Sequence, residues 1–406
     1  MVDEELPDDR PMMRGFPPPA GQRVATDRVH ADPRAVRWFV QHVRESTRTA
    51  NVAGGIGVRP LVRIQETPRA LDATPLRDVE DGDWTLARLL ETTDTDAIVV
   101  LCDGKIVYEH YFNGMQPDST HAYYSMSKSI ASCVVANLVD RGVLDLEVSL
   151  AEYVPELAVS AYADASIRHL LDMSVGIHYV EDYEDDDSDD GRLQRLYGYK
   201  PRRSADEPGS TYDFARTTKK DGEHGASFHY VSLNTNVLGW VMERVTGVPI
   251  PRLIAREIWG KLGGEHDAYI ALDGAGSAQL EAGFASSLRD LARFGQMLCQ
   301  GGVFAGQLVV PSHWIADTQE RGDKRIFAAS ADAGLLPGGA YRNGFWVSDR
   351  GDHKAFVALG KYGQMLYVNQ KIGVVIAKFS SQPRPSDDAL TTLGFLGCDA
   401  LAQALT

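Results

Sequence analysis

The sequence has few cysteines, and its N-terminus lacks the pattern of a secretion signal. The 406-residue chain has four cysteines, which lie far apart and show no paired spacing: Cys102, Cys133, Cys299 and Cys398. Such spacing in a long chain indicates buried thiols in a reducing compartment rather than a disulfide framework or a zinc site. The acidic, proline-rich N-terminus lacks the basic and apolar regions of a signal peptide. We therefore expect a cytoplasmic protein.

Basic residues are also in the minority. The chain has 41 lysines and arginines against 56 aspartates and glutamates, a formal net charge of −15. Nucleic acids and anionic membranes attract positively charged surfaces, so neither is expected as a partner. No apolar run approaches the roughly 20 residues that a membrane-spanning helix needs. The expected partner is a small-molecule substrate, and the chain could also pair with a second copy of itself as a homodimer.

Common metal-binding and catalytic signatures are missing as well. The sequence has no HExxH zinc motif and no GxSxG nucleophile elbow, so Ser-His-Asp chemistry on an α/β-hydrolase fold lacks support. Asp186, Ser188 and Asp190 in the acidic run 181–192 imitate the start of a calcium loop, but Tyr197 occupies its last ligand position. A solvated loop explains this run better. We expect no metal and no cofactor.

Strand patterns are found near the start and near the end of the chain. AIVVLCDGKIVYEHYF places two apolar runs around Asp103-Gly104, which favours a β-hairpin with a type I′ turn. GFWVSD, FVALGKYGQMLYVN and IGVVIAKFSS indicate strands in the last hundred residues, and residues 160–280 have helical periodicity with few strand signals. These patterns predict an α/β (α+β) fold, with one antiparallel sheet covered by helices and an inserted, mainly helical lobe.

The same patterns suggest where the parts of the chain begin and end. We expect an N-terminal arm and helix at 1–80 that pack on the core, a sheet domain formed by 81–160 and 281–406, and the helical lobe at 161–280.

Local signals place two helices and the arm. Residues 1–30 are expected to lie on the surface or to stay loose. Asp32 as N-cap and Pro33 at the first helical position predict a helix start there. A later amphipathic helix is capped by Ser286 or Ser287.

The stretch HAYYSMSKSIASCVV places Ser125 and Lys128 three residues apart, at the start of a helix predicted to run to about Val139. On a helix these two side chains share a face. A serine at a helix N-terminus can attack a carbonyl while its own N–H stabilises the oxyanion. A lysine in a dry, positive setting there gives up its proton more readily. Alone, Ser-x-x-Lys is a weak signal, because an N-cap serine with a surface lysine has the same spacing.

Two further motifs follow in the chain. FHYVSLNTNVLGWVMERVTG puts Tyr230 and Ser232 just before a helix, and GKYGQ puts Lys361 and Gly363 at the entry to an edge-like strand. Ser-x-x-Lys, Tyr-x-Ser and Lys-x-Gly in this order is the pattern of the penicillin-recognising serine hydrolases. Over about residues 85–400 the chain resembles class C β-lactamases, serine D-peptidases and their esterase relatives.

Within that superfamily, the chain resembles the nylon-oligomer (6-aminohexanoate-dimer) hydrolases. The stretches SMSKS, LLDMSVGIHYVEDY, FHYVSLNTNVLGWVMERVTG and LRDLARFGQML carry this resemblance. It implies a β-lactamase-like fold without a cofactor, and a hydrolase that cleaves a small linear amide or carboxylic ester through an acyl-enzyme.

The resemblance also implies residue roles. Ser125 would be the acylated nucleophile and Lys128 the base that takes its proton. Tyr230 would relay a proton to the leaving amine or alkoxide and then help to activate water. The backbone N–H groups of Ser125 and Gln364 would form the oxyanion hole, where one donor is typically worth about 10²–10³ in rate.

Further residues are expected at the substrate. Ser232 stands where other members of the superfamily carry asparagine. Lys361 would lower the pKa of Tyr230 or meet a substrate carboxylate, and Tyr183 in the acidic loop would face the substrate. Glu281 lies where relatives present a side chain to substrate, although a packed or solvent-facing role is the simpler expectation.

Two other functions fit the same motifs. A β-lactamase or D-peptidase is favoured by Lys361 but disfavoured by the missing secretion signal. A catalytically silent binding protein on the same fold is disfavoured by the intact set of Ser125, Lys128 and Tyr230.

Overall fold

The computed structural model describes residues 12–64, 71–76, 79, 82–349 and 354–405. The strands in these ranges are β1 (Thr49–Val52), β2 (Val62–Arg63), β3 (Thr95–Cys102), β4 (Lys105–Tyr111), β5 (Thr120–Ala122), β6 (Ile177–His178), β7 (Lys219–Lys220), β8 (Ala268–Ala271), β9 (Phe284–Ser287), β10 (Val303–Phe304), β11 (Gln307–Leu308), β12 (Ala340–Arg342), β13 (Phe345–Ser348), β14 (Ala355–Gly360), β15 (Gln364–Asn369) and β16 (Val374–Ser380).

The α-helices in the same ranges are α1 (Pro33–Phe39), α2 (Val43–Ser46), α3 (Leu86–Thr92), α4 (Ser127–Asp140), α5 (Leu150–Tyr153), α6 (Ile167–Leu171), α7 (Asp189–Tyr197), α8 (Thr211–Arg216), α9 (Leu233–Thr246), α10 (Ile250–Glu257), α11 (Leu288–Cys299), α12 (Ser312–Glu320), α13 (Lys324–Ala328) and α14 (Asp388–Ala404). Not one of these helices combines the length and apolar character that crossing a membrane requires.

The main sheet joins the two ends of the chain. Its strand order is β12-β13-β14-β15-β16-β3-β4-β2, and every pair is antiparallel except β2 with β4. Near its centre, Ile376 of β16 lies opposite Val100 of β3. A second antiparallel sheet has the order β1-β8-β9-β5. The prediction of an antiparallel sheet built from both ends of the chain and covered by helices is confirmed.

The hairpin prediction is also confirmed. Asp103 and Gly104 have φ angles of 48° and 75° between β3 and β4. A type I′ turn needs positive φ at both of its central residues, which explains why an Asp-Gly pair stands here.

Buried side chains of the central strands point alternately to the two faces of the main sheet, so the core has two layers. Val375 and Ala377 of β16 belong to the layer that contains α4 and α11, whereas Val374 and Ile376 belong to the layer that contains α3 and α14. Because side chains of a strand point alternately to the two faces, a strand buried on both faces is apolar throughout.

The middle of the chain contains more strand than we predicted. Strands β6 and β7 pair with each other, and β8 lies inside the second sheet between β1 and β9. These strands have two to four residues each. Segments this short are not long enough to show alternation of apolar and polar residues. The helical periodicity of the neighbouring sequence therefore determined the prediction.

The described part of the N-terminal arm is packed rather than loose. Val29 and Val36 are fully buried, in a cluster that also contains Tyr124 and Tyr362. As predicted, α1 begins at Pro33, and the Asp32 side chain accepts a hydrogen bond from the Arg34 amide at 2.9 Å. Most of residues 12–30 lie at the surface, which is one of the two alternatives that we expected, while Met12 and Val29 are buried. Residues 1–11 lie outside the described ranges.

Two motif segments differ locally from their predictions. Ser125 lies in a 3₁₀ turn, Tyr124–Met126, and the α-helix begins two residues later at Ser127. Lys361 lies in a second 3₁₀ turn between β14 and β15. Strand β15 is interior to the sheet, between β14 and β16, so the expectation of an edge-like strand was wrong.

Candidate active site

Local hydrogen bonds hold the turn that carries Ser125. Tyr124 has a φ of 47°, which directs the chain from β5 into the 3₁₀ turn. The Ser127 hydroxyl donates to the Tyr124 carbonyl at 2.7 Å and accepts from the Phe284 amide at 3.2 Å. The turn is thereby tied to β9. The Ser125 side chain remains partly exposed at its surface.

A glycine lets the end of β14 approach this turn. A Cβ atom on Gly360 would overlap the carbonyl oxygen of Tyr123. The φ of Gly360 is −141°, which any residue can adopt, so the close approach itself requires glycine. As a result, the Lys361–Gly363 turn lies beside the Ser125 turn.

Lys128 is buried and makes three hydrogen bonds through its ammonium group. Nζ donates to Ser125 Oγ at 2.8 Å, to Ser232 Oγ at 3.1 Å and to the Glu281 carbonyl at 3.0 Å. Burial lowers the pKa of Lys128 to about 8, although the negative charges of Glu181 and Glu281 oppose this shift. A lysine with this pKa is partly neutral near pH 7–8 and can accept a proton.

Tyr230 lies beside this pair. The Lys128 Nζ is 5.1 Å from the centre of its ring, and Tyr230 lines the smaller cavity together with Ser125. Burial first, and then the neighbouring Tyr341 hydroxyl, raise the pKa of Tyr230 well above its ordinary value. Lys361 is not among the main influences on this pKa, which desolvation dominates, so the expected lowering by its charge stays a prediction. The phenol keeps its proton.

Ser232 is held by a half-buried carboxylate that the sequence did not single out. Its amide donates to Glu181 Oε2 at 2.8 Å, and its hydroxyl donates to Glu181 Oε1. The Tyr183 hydroxyl also donates to Oε1, at 3.0 Å. The pKa of Glu181 is raised, because burial and the charge of Asp190 outweigh Lys128 and the two hydrogen bonds from Ser232, which lower it.

The Lys361 ammonium group contacts Asp190 and Tyr183 of this chain. Its Nζ lies 3.3 Å from each carboxylate oxygen of Asp190, the second residue of α7. It also lies 3.5 Å from the centre of the Tyr183 ring. The positive charge of Lys361 is thus balanced before any substrate binds.

Two cavities meet at Ser125. The larger has a volume of about 810 Å³ and the smaller about 460 Å³. Ser125, Tyr183 and Lys361 line both of them. Glu281 lines only the larger cavity and Tyr230 only the smaller. A substrate can therefore extend from Ser125 in two directions.

The N-terminal arm contributes to the larger cavity. His30 lines it, and His30 Nδ1 lies 3.0 Å from the Tyr362 hydroxyl. Burial, followed by the charges of Lys361 and Lys200, lowers the pKa of His30 to about 3, so the imidazole is neutral. Sequence reasoning gave no sign that the arm reaches this site.

Glu281 is buried at the wall of the larger cavity, with 2% of its surface exposed. Its Oε2 atom has no hydrogen-bond partner among the described residues. Burial raises the pKa of Glu281 to about 7, although hydrogen bonding with Tyr197 and the charge of Lys128 lower it. The solvent-facing alternative for this side chain was wrong.

Gln364 fixes the beginning of β15 next to the smaller cavity. Its Nε2 donates to the Ser380 carbonyl at 2.7 Å and to the Lys361 carbonyl at 3.0 Å. Its Oε1 accepts from the Ser380 amide at 3.1 Å. The backbone of Gln364 is thereby held in place, and it lines the same cavity as Ser125.

The structure brings all the sequence-predicted site residues to one place: Ser125, Lys128, Tyr183, Tyr230, Ser232, Lys361 and Gln364. Sequence reasoning missed Glu181, and it considered Asp190 only as part of a calcium-like loop. Both stand in an acidic run in which no local pattern distinguishes the buried carboxylates from the exposed ones.

The calcium-like residues have other partners. Asp186 pairs with Lys200 at 2.5 Å, Asp190 pairs with Lys361, and the Ser188 hydroxyl caps α7 by accepting from the Gly191 amide at 2.9 Å. In the described part of the chain, no group of three or more histidine, cysteine or acidic side chains is arranged to hold a metal ion.

Known proteins match most of this chain in sequence. The family model described as Beta-lactamase matches residues 86–397. The chain belongs to this beta-lactamase family. A 6-aminohexanoate-dimer hydrolase from Paenarthrobacter ureafaciens is 35% identical over 353 residues, which cover 86% of each protein. The chain is therefore a serine hydrolase of the beta-lactamase and penicillin-binding-protein superfamily.

Solved structures agree with the family assignment. A Bacillus anthracis protein provisionally named a 6-aminohexanoate-dimer hydrolase has a TM-score of 0.84 and 28% identity, covering 95% of this chain and 98% of that one. A family VIII carboxylesterase has a TM-score of 0.56 and 18% identity, covering 78% and 95%; at this identity the likeness concerns the fold alone. The predicted β-lactamase-like fold and the resemblance to aminohexanoate-dimer hydrolases are confirmed.

Proposed function

We propose that this family member hydrolyses a small linear amide or carboxylic ester through an acyl-enzyme on Ser125. The observation that carries the proposal is the 2.8 Å hydrogen bond between Lys128 Nζ and Ser125 Oγ, at the point where the two cavities meet. A nucleophile beside a lysine with a lowered pKa is an arrangement suited to attack on a carbonyl carbon.

Acylation begins with the neutral form of Lys128. Its amine takes the hydroxyl proton as Ser125 Oγ bonds to the substrate carbonyl carbon, and the carbonyl oxygen becomes an oxyanion. The backbone N–H groups of Ser125 and Gln364 would stabilise this negative charge. The firm anchoring of Gln364 supports that role, since an oxyanion donor acts best when it needs no reorganisation.

Tyr230 would complete the first half of the reaction. Its phenol keeps its proton and lines the same cavity as Ser125, so it can deliver that proton to the leaving amine or alkoxide as the carbonyl–heteroatom bond breaks. The proton that Lys128 took from Ser125 then returns to the tyrosinate. In the second half, water attacks the acyl carbon and loses a proton to the same Tyr230–Lys128 pair. As the bond between the acyl carbon and Oγ breaks, the pair returns this proton to Ser125 Oγ, and the acid is released.

The cavities and the relatives support a small linear substrate. The acyl portion and the leaving group of a linear molecule can lie in the two spaces on either side of Tyr183. The relative with 35% identity is named for a linear amide, the aminohexanoate dimer. The β-lactamase alternative loses its main support, because Asp190 already neutralises Lys361.

The test compares substrates and variants. Wild-type protein and Ser125→Ala are assayed with p-nitrophenyl esters, linear aminohexanoate oligomers and a chromogenic cephalosporin. We expect turnover of an ester or a linear amide by wild type and a loss of at least 10³-fold in S125A. Ser160→Ala serves as the control, since its hydroxyl bonds locally to the Leu157 carbonyl. Turnover of the cephalosporin alone would contradict the proposed substrate class.

A further inference from the structure

The three hydrogen-bond partners of Lys128 differ in what they can do once the lysine loses its proton. As an ammonium, Nζ donates to Ser125 Oγ, to Ser232 Oγ and to the Glu281 carbonyl. A neutral amine has only two hydrogens and one lone pair, so one of these three contacts must reverse its direction. A productive base needs its lone pair to face the hydroxyl of Ser125.

Two of the three contacts are unable to reverse. The Glu281 carbonyl oxygen is only an acceptor. The Ser232 hydroxyl has a single hydrogen, and that hydrogen is donated to Glu181 Oε1. Ser125 is therefore the remaining partner that can donate to the neutral amine.

Glu181 is itself held in the acceptor role. Its Oε2 atom faces the Ser232 amide at 2.8 Å, which is a donor with a fixed direction. Its Oε1 atom faces the hydroxyls of Ser232 and Tyr183. Each contact supplies a hydrogen to the carboxylate, so an ionised Glu181 satisfies all of them at once.

We propose that Glu181 is a positioning residue: by taking the hydroxyl hydrogen of Ser232, it leaves Ser125 as the only hydroxyl that can donate to the neutral Lys128. The inference rests on the proposed function, because it concerns the step in which Lys128 activates Ser125. It assigns a role in this chain to a half-buried carboxylate that lies outside the three sequence motifs.

The decisive variant is Glu181→Gln. A glutamine has an acceptor oxygen at only one of the two positions, so when that oxygen accepts from the fixed Ser232 amide, its NH₂ group faces the Ser232 hydroxyl and cannot accept from it. The Ser232 hydrogen is then free to turn to Lys128 and to occupy the lone pair that Ser125 needs. We expect kcat with a p-nitrophenyl ester to fall about 10- to 100-fold, while KM changes less than about 3-fold.

A double-mutant cycle separates this role from simple structural support. Ser232→Ala removes the competing hydroxyl, so it leaves Ser125 as the only donor whether or not Glu181 is present. We therefore expect E181Q to lower kcat less than about 3-fold in the S232A background. Asp185→Asn is the matched control, because Asp185 is an exposed acid of the same loop whose side chain accepts from the Asp187 amide.

The pH profile gives an independent readout. The charged groups around Lys128 are Glu181, Glu281, Asp190 and Lys361. Removing the negative charge of Glu181 makes the ammonium less stable, so the rising limb of kcat/KM should move to lower pH in E181Q. D185N should leave the limb where it is in wild type.

The outcomes distinguish the inference from the proposed function. If wild type is not acylated on Ser125 by a fluorophosphonate probe, the proposed function fails first. If Ser125 is acylated but E181Q costs the same factor in both backgrounds, or less than about 2-fold in wild type, the role of Glu181 is overturned. If E181Q does not fold, the S232A variant tests the inference by itself. A loss of kcat above about 10³-fold in S232A would contradict the idea that the Ser232 hydroxyl competes for the lone pair of Lys128.

Discussion

Lys361 and Asp190 form an ion pair across 171 residues of sequence, with Nζ 3.3 Å from each carboxylate oxygen. Both side chains are largely buried, and the ammonium also contacts the face of the Tyr183 ring at 3.5 Å. The pair joins the turn before β15 to the first turn of α7, and it holds Tyr183 between the two cavities. It therefore affects both the shape of the site and the charge that a substrate meets.

Asp190→Asn should change the preference for anionic substrates. With its carboxylate partner removed, the Lys361 ammonium becomes available to a substrate carboxylate at the cavity boundary. We expect the ratio of kcat/KM for a glutaryl nitrophenyl ester to that for a neutral butyryl ester to rise about 3- to 10-fold. Asp189→Asn is the control, because Asp189 pairs with Arg192 instead. An unchanged ratio in D190N would show that Lys361 is not held back by Asp190.

The rate should rise with pH through the titration of Lys128. Its pKa is lowered to about 8, so below this value the fraction of neutral amine falls about tenfold for each pH unit. With a neutral ester, kcat/KM should increase up to about pH 8 and then level off. Lys128→Met should be at least about 10³-fold slower and should lack this limb. A profile that is flat from pH 6 to 9 in wild type would argue against Lys128 as the base.

Lys378→Met should stabilise the fold at neutral pH. Lys378 is 1% exposed, and its Nζ donates to the Gly363 carbonyl at 3.3 Å and to Ser380 Oγ, with no carboxylate paired to it in the described ranges. Burial lowers its pKa to about 8 from an ordinary value of 10.5. The folded state thus binds the proton less tightly than the unfolded state, and the buried charge costs stability below about pH 8.

Urea denaturation checks this at two pH values. At pH 7 we expect the free energy of unfolding of K378M to exceed that of wild type by about 1–3 kcal/mol. The penalty in wild type is relieved as pH rises from about 8 toward 10.5, so the gain should shrink at pH 9.5. A variant that is less stable than wild type at pH 7 would mean that the ammonium stabilises the fold through its two hydrogen bonds.

Gly360→Ala should damage both stability and activity. The added methyl group overlaps the Tyr123 carbonyl, so β14 and the Ser125 turn must move apart. We expect a loss of about 1–3 kcal/mol in the free energy of unfolding and a lower kcat. Gly209→Ala is the control, since its Cβ would meet only the Asp213 side chain at 3.7 Å. Thermal melts and ester assays compare the stability and activity of the two variants. Equal losses in G360A and G209A would contradict the requirement for glycine at position 360.

The ordered motifs predicted much of the site because each is short and local. Ser125 and Lys128 are one turn apart, and Tyr230 and Ser232 stand together before a helix, so spacing groups the residues within each motif. The resemblance to the penicillin-recognising hydrolases was needed to join the motifs into one site. The Asp103-Gly104 turn was predictable for the same reason, since the preference for positive φ belongs to these two residues.

The features that the sequence did not reveal depend on contacts between distant segments. Nothing local separates Glu181 and Asp190 from their acidic neighbours, and only the fold brings Asp190 to Lys361. The contact of His30 with Tyr362 joins residues 332 positions apart. The raised pKa of Tyr230 was not predictable from the sequence, because desolvation depends on the complete packing around the ring and outweighs the effect of any one charge.

Trapping the acyl-enzyme tests the central claim most directly. Wild type and S125A are mixed with a slowly hydrolysed p-nitrophenyl ester, quenched in acid within the burst phase, digested and mapped by mass spectrometry. We predict one added acyl group on the peptide that contains Ser125 in wild type, and none at this position or elsewhere in S125A. An acyl group on another residue, or undiminished turnover by S125A without an intermediate, would contradict the account.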